Sequence, residues 1–404
     1  MAKARKTPRR AVPLATSTAR SSTTSAANNL RPRDIALRRL GSQRLVGEPF
    51  ASPVDVVRQL GAVQSQDYAG GKWGVAQRTN GASDADVERA LTNGAIVRTH
   101  VLRPTWHFVA AEDIRWMLAL TAPRVRATML PYDRHLGLDD AVYARSAAVI
   151  TRELSGGRHR TRAQLGEALN REKIDSGVGQ RMAHLMMRAE LDGLVCSGVR
   201  DGMQSTYALL EERVPPAPVM PRDEAMHELA LRYFRTRGPA TVQDFSWWSG
   251  LKMGDARQAI ELVGPKLSQD IVEGRTFWFA DDAPAPARAG SSAHLLPNYD
   301  EYFIGFRDRS ALSGRVAASK IAVPPEAFIA HVVVVDGELV GGWKRVTKGG
   351  TVTVELRLVV DVPARATRRI NEQVRRYARF LHGTEVADSA PEPPREPLNR
   401  TSSR

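Results

Sequence analysis

The clearest alternation of apolar and polar positions lies between residues 158 and 213. Leu165 and Leu169 are spaced i, i+4 behind a capping Thr161, which predicts a helix over 162–170. Met182, Leu185, Met186 and Leu191 fall near one stripe and predict a second helix over 179–192, after a turn at Gly177. Residues 194–196 and 206–210 then read as two strands about the turn signal Arg200-Asp201-Gly202. Helix, turn, helix, hairpin is the order of a winged helix. Residues 222–280 repeat it: helices over 223–237, after Thr241 and over 255–263 precede a hairpin over 271–279 with Glu273-Gly274 at its tip.

The segment 31–157 is compatible with a third, elaborated unit. Helices are predicted over 34–44, 52–60, 83–94 and 112–130, with strands over 97–102 and 105–109. Residues 291–383 change character. Strands are predicted over 304–306, 329–335, 338–345 and 351–359, with turns at Asp336-Gly337 and Lys348-Gly349-Gly350 and a terminal helix over 363–381. This last unit reads as a small β-rich module, open sheet or barrel. Proline-rich stretches at 214–221 and 281–290 read as linkers, and residues 1–30 and 384–404 as disordered tails.

Charge sharpens the picture. The net charge is +14, of which residues 1–33 hold eight Lys and Arg and no acid, leaving residues 34–383 at +7. A basic arm on a basic body points to nucleic acid, through phosphate neutralisation and counterion release, although solubility alone can also set such a balance. The arm's Arg, Ser and Thr content also matches an organelle transit peptide, but it lacks the apolar core of a signal peptide. A single cysteine, Cys196, excludes an intramolecular disulfide and fits a reducing compartment. No apolar run approaches the roughly 18 residues of a membrane helix. Neither a Cys-rich zinc site nor a Walker-type phosphate loop is present, so no metal or cofactor is expected.

Four groups could carry chemistry. Gln64 and Gln66, one residue apart on an extended segment, would share a face, and their amides hydrogen-bond without ionising. A hairpin carrying His100, Arg103, Thr105 and His107 could meet phosphates, with Trp106 against a base; equally, Trp106 and Phe108 could be core and the polar residues strand edges. Asp300 and Glu301 suggest a general base or, more simply, a brace for an arginine such as Arg307 or Arg309. Lys344, Arg345 and Lys348 lie on a predicted hairpin that could enter a minor groove or form a solvated edge. The helix over 179–192 offers only Arg181, His184 and Arg188 between methionines, which is poor for reading base edges.

The segments 60–78 (LGAVQSQDYAGGKWGVAQR), 98–125 (RTHVLRPTWHFVAAEDIRWMLALTAPRV), 189–198 (AELDGLVCSG), 238–251 (GPATVQDFSWWSGL) and 295–310 (LLPNYDEYFIGFRDRS) together resemble the bacterial winged-helix DNA glycosylases of the AlkZ-like family. The resemblance spans about residues 31–381. It implies an α+β protein of three tandem winged-helix units followed by a barrel-like β domain, clamped around DNA. It also implies a catalytic Gln-x-Gln at Gln64 and Gln66; a sister branch has Gln-x-Asp, whereas here Asp67 falls one residue late and Ser65 replaces the aliphatic middle residue. The implied partner is double-stranded DNA carrying alkylation damage in the bacterial cytoplasm and nucleoid, with crosslinks among the substrates. A purine alkylated at N7 or N3 is already cationic and leaves as a neutral base, so the usual acid is dispensable. Two glutamine carbonyls aimed at C1′ would then hold the water and favour the sugar cation. The competing readings are a winged-helix transcriptional regulator and a nucleoid-associated binder without enzymatic activity.

Overall fold

The computed structural model describes residues 31–177, 180–290, 292–320, 326, 330–348 and 351–382. The basic arm and the acidic tail expected from sequence lie outside the described residues. The fold is mixed, 51% helix and 19% strand, with no closed barrel among the described residues.

Helices α1 (Pro32–Ser42) and α2 (Pro53–Leu60) lead to the two-residue strand β1 (Val63–Gln64), followed by α3 (Tyr68–Gln77) and α4 (Asp84–Thr92). Strands β2 (Ile96–His100) and β3 (Trp106–Ala110) complete an antiparallel sheet ordered β1-β3-β2. Helices α5 (Ile114–His135) and α6 (Asp140–Leu154) follow. Helix starts are signalled locally: Ser52, Ser83 and Asp67 accept from the backbone N–H of Asp55, Asp86 and Gly70.

The next stretch holds β4 (Arg160–Thr161), α7 (Arg162–Arg171), α8 (Gln180–Leu191), β5 (Val195–Ser197), β6 (Thr206–Leu209) and the single turn α9 (Leu210–Arg213). Thr161 and Gln164 cap α7 reciprocally. After it come α10 (Arg222–Arg237), α11 (Val242–Ser249), α12 (Met253–Val263) and the hairpin β7 (Leu267–Val272) and β8 (Arg275–Ala280). At its tip Glu273 and Gly274 both take positive φ, as a two-residue hairpin turn demands. The proline-rich stretch 281–290 is no free linker: Ala287 is buried and its N–H donates to the carbonyl of Leu37 in α1 (3.0 Å).

The C-terminal unit departs most from expectation. Its sheet is open and four-stranded, ordered β12-β11-β10-β9, with β9 (Ala293–Leu296), β10 (Val332–Val335), β11 (Glu338–Lys348) and β12 (Thr351–Leu358). Helices lie against both faces. Val333, Val335 and Trp343 share a core with Ile370, Tyr377 and Phe380 of the terminal helix Ala364–His382, while Val332 and Val334 pack with Ala36, Leu37 and Leu40 of α1. Burial on both sides explains the unbroken Val332–Val335 run and leaves no reason for the sheet to curl shut. Residues 304–306, expected as a strand, fall at and just after the short helix Glu301–Ile304, whose start Asp300 caps by accepting from Tyr302 N–H. Tyr302 and Phe303 serve one core and Phe306 another, so the apolar run has no strand face.

Candidate active site

The glutamine segment is held from below. Glu301 is sealed from solvent, and its Oε1 accepts from the backbone N–H of Gln64 at 2.8 Å. Its Oε2 accepts from Arg237 Nε (3.1 Å) and Nη2 (2.6 Å) and from Trp248 Nε1 (3.0 Å). Arg237, equally buried, also donates to the carbonyls of Leu60 (2.8 Å) and Ala62 (3.1 Å). One ion pair therefore ties the ends of α2 and α10 to the strand of Gln64. Asp300 makes the neighbouring pair with Arg78 (2.8 and 3.0 Å), and Arg78 also donates to Gln43 Oε1 (2.5 Å). The two acids are thus braces, as the simpler sequence reading had it, but for Arg237 and Arg78 rather than Arg307 or Arg309. Helix α3 closes over the strand through glycine: a Cβ on Gly71 would sit 3.0 Å from Phe108 and 3.3 Å from Ser65.

Gln64 pairs with His107 across β3, and His107 with Thr99 across β2, so the three share a face. The strand stops there. Gln66 is not a strand residue but an exposed one in the bend before α3, where Asp67 turns the chain by capping the helix. The two amides are therefore neighbours of unequal burial: Gln64 is 5% exposed.

The carboxamide of Gln64 has a fixed direction. Its Oε1 accepts from Arg103 Nη2 at 3.0 Å. The loop that delivers Arg103 is tight: Arg103 N–H donates to Val101 O and Thr105 N–H to Arg103 O, both at 2.7 Å. Leu102 takes the left-handed φ of 63°, a strained setting for a branched side chain. Its carbonyl presses on Gly250, where a Cβ would lie 2.1 Å away. Arg103 lies over the Trp247 ring, 5.6 Å from its centroid, and burial pushes its guanidinium down to about 10, against the attraction of Glu301. It still carries a full charge at neutral pH.

Two of the expected phosphate contacts are corrected. His107 is wholly buried, its Nδ1 donates to Thr105 O (2.9 Å), and burial with the nearby Arg103 holds it neutral, well below the usual histidine range. His100 is buried, with Nδ1 bonded to Glu190, and its ring lies against Trp106 at 4.6 Å. Neither can reach a DNA backbone without local opening. Arg98 also lies over the Trp106 ring (4.3 Å) and donates to Ser65 O (3.0 and 3.2 Å), so it bolts the backbone between the glutamines. A small cleft on this opposite side is lined by Tyr68, Glu88, Arg98, Trp106 and Glu190, and by neither glutamine.

Thr105 is half-buried, and its Oγ1 has no partner among the described residues. Lys344 and Arg345 are exposed on β11, opposite Glu355 and Val354; the side chain of Lys348 lies outside the described residues. On α8, His184 bonds Asp133 (2.7 Å), Arg188 bonds Asp192 (2.7 Å) and Arg181 donates to Leu136 O, so its charges serve packing. Sequence reasoning missed Arg237, Arg78 and Glu190. The only hint was the acid pair at 300–301, which needed partners. Among the described residues no cluster of His, Cys, Asp and Glu could hold a metal ion, and no helix is long and apolar enough to cross a membrane.

Comparison with known proteins identifies the family of the chain. A family model described as DNA glycosylase AlkZ-like matches residues 57–380. The interstrand DNA cross-link repair glycosylase of Streptomyces sahachiroi is 28% identical over 341 residues, covering 77% of this chain and 87% of that protein. The solved structure of Streptomyces sahachiroi DNA glycosylase AlkZ superposes with a TM-score of 0.69 at 22% identity, covering 86% of this chain and 96% of that one.

Proposed function

Because the chain belongs to the AlkZ-like DNA glycosylase family, we propose that it hydrolyses the N-glycosidic bond of cationic alkylated purines in duplex DNA, interstrand crosslinks included, with Gln64 and Gln66 as the catalytic pair. The observation that carries the reading is the anchored Gln64 amide beside the exposed Gln66. Glu301, the carboxylate that touches Gln64, only accepts hydrogen bonds from Arg237, Trp248 and Gln64, so it is not placed to protonate a leaving base. That suits a substrate whose base departs without an acid. The reaction is hydrolysis without strand scission: a lyase needs a free amine at C1′, and Lys72 of α3 is held by Asp84 (2.8 Å) and Glu88 (2.7 Å).

The helix–helix–hairpin units formed by α7, α8, β5 and β6 and by α10–α12, β7 and β8 are read as winged helices that grip DNA backbone rather than read sequence, since the α8 charges are internally paired. Arg103 supports Gln64 in this reading, while Lys344 and Arg345 meet phosphate from the β11–β12 hairpin. The site of action is the bacterial nucleoid.

The test is duplex DNA carrying 7-methylguanine, incubated with protein and then assayed for abasic sites by alkaline cleavage. Gln64→Ala and Gln66→Ala should each slow single-turnover excision by about 10²–10³-fold, the range for removing one preorganised dipole. No product from the unaltered protein, or undiminished product from both variants, overturns the proposal. A transcriptional regulator would instead prefer one undamaged sequence by roughly 10³-fold or more.

A further inference from the structure

Deepening that reading, and resting on it, we infer that Arg103 locks Gln64 as a hydrogen-bond donor to the substrate, and that its target is N3 of the departing purine. The two glutamines then have opposite polarity rather than acting as twin carbonyls.

Arginine has five N–H donors and no acceptor. The atom of Gln64 that meets Arg103 Nη2 at 3.0 Å must therefore be its oxygen, and the two ends of this amide are not interchangeable. Nε2 is the end left over. It makes no hydrogen bond among the described residues, and it is not among the side-chain atoms sealed from solvent. The lock cannot swing easily. Arg103 rises from a loop whose Leu102 is already at φ 63° and abuts Gly250, its guanidinium carbon lies over the Trp247 ring at 5.6 Å, and its Nε is enclosed. The backbone of Gln64 is pinned independently by Glu301. A cation on the carbonyl oxygen also polarises the amide and strengthens the N–H donor at its other end.

The chemistry of the bond identifies the acceptor. In the minor groove a purine offers N3, next to the sugar carbon that is attacked. When the C1′–N9 bond of a 7-alkylguanine breaks, both electrons go to the base and cancel its positive charge. Electron density then rises at N3. Water adds to C1′ and loses its proton to solvent. A donor at N3 gains strength as the bond breaks, so it favours the transition state over the bound substrate. The exposed Gln66 is left to present its carbonyl to the water and the sugar. An alkyl group on N3 removes the acceptor, so Gln64 should help 7-methylguanine leave and do little for 3-methyladenine. Arg103, which touches no substrate here, is a positioning residue.

Duplex DNA treated with a methylating agent contains both lesions, and chromatography separates the released bases, so each reaction carries its own control. Gln64→Ala and Arg103→Met should slow release of 7-methylguanine by about 10²-fold, the loss of one preorganised donor, while 3-methyladenine release changes only a few-fold. The ratio of the two products therefore collapses. Arg103→Lys, which keeps a donor for the Gln64 oxygen, should restore much of the ratio. If thermal melting shows Arg103→Met unfolded, the ratios of Gln64→Ala and Arg103→Lys decide. Loss of both products in equal proportion from a folded Gln64→Ala, or an unchanged ratio, overturns the proposal while leaving the glycosylase reading intact. Release of neither base by the unaltered protein removes the glycosylase reading, and this inference with it.

Discussion

Replacing Glu301 with alanine should be among the most damaging single changes in this protein. The carboxylate receives four hydrogen bonds, from Gln64 N–H, Trp248 Nε1 and both Nε and Nη2 of Arg237, and neither Glu301 nor Arg237 has any exposed side-chain surface. Truncation leaves a guanidinium buried without its counter-charge, which costs about 3–5 kcal/mol. The orphaned Gln64 and Trp248 donors add roughly 1–3 kcal/mol each if water cannot enter, overlapping partly with the first figure. A loss of about 4–6 kcal/mol is the reasoned expectation, comparable to the whole stability of a marginal protein, which starts near 5 kcal/mol.

The assay is urea unfolding followed by tryptophan fluorescence, since Trp73 and Trp248 are buried beside the elements concerned. The diagnostic variant is Glu301→Met with Arg237→Met. Replacing a buried pair by apolar side chains is often neutral or better, so the double variant should recover at least about 2 kcal/mol relative to Glu301→Ala. Two singles costing under about 1 kcal/mol each, or a double variant as unstable as their sum, would show that the pair does not hold this part of the fold. Glu301→Gln, which keeps one acceptor for Gln64 N–H, should retain more stability than Glu301→Ala.

Other outcomes follow from charge and burial. His294 sits on β9 with both ring nitrogens unpartnered among the described residues, and burial, helped by Arg376 and Arg78, pushes it down to about 3. Its folded value lies below the unfolded 6.5, so its stabilising effect is full above pH 6.5 and is lost as pH falls from there toward 3, at about 1.4 kcal/mol per unit; His294→Phe should flatten that acid limb in melts taken from pH 7 to 4. Exposed Lys344 and Arg345 should act through phosphate, so changing each to alanine lowers affinity alike for all sequences and reduces the salt slope by about 0.9, measured by fluorescence anisotropy. Residues 2–30 carry six Lys and Arg; deleting them should reduce that slope by up to about 5 while single-turnover excision at saturating protein stays unchanged.

Local signals were the most legible part of the sequence. Capping pairs such as Thr161 with Gln164 and Thr241 with Asp244, and turn pairs such as Glu273-Gly274 and Asp336-Gly337, act within a few residues and are visible without tertiary knowledge. Failures came where burial on two sides erased alternation. Residues 304–306 read as a strand because the run is apolar and buried throughout, and the four-residue β9 was missed because His294 and its apolar neighbours all face inward. Gln66 left the strand because Asp67 caps α3, a competition that period-two reasoning does not weigh. The ion pairs beneath the glutamine segment join distant parts of the chain, 222 residues between Arg78 and Asp300 and 64 between Arg237 and Glu301, and pairing at that distance has no local trace.

An uncharged amide is a weak catalyst unless its direction is fixed, because either end can turn to the substrate and rotation about its last torsion costs little. This protein fixes direction with charge held behind the amide rather than in front of it. Arg237 is balanced by Glu301 and otherwise donates to the Leu60 and Ala62 carbonyls and the Thr236 hydroxyl, so it adds little field at the sugar. Among the described residues Arg103 donates to no carboxylate, and in the proposed mechanism its charge acts on the substrate through Gln64. Placing that cation on the leaving-group side opposes a free sugar cation but favours electron flow into the base. Such an arrangement is useful only if bond breaking delivers electrons to a base that can accept them, which is the property of an alkylated cationic purine and not of an intact one. The selectivity for damage would then reside in the chemistry of departure, with the surrounding fold required to hold two amides still.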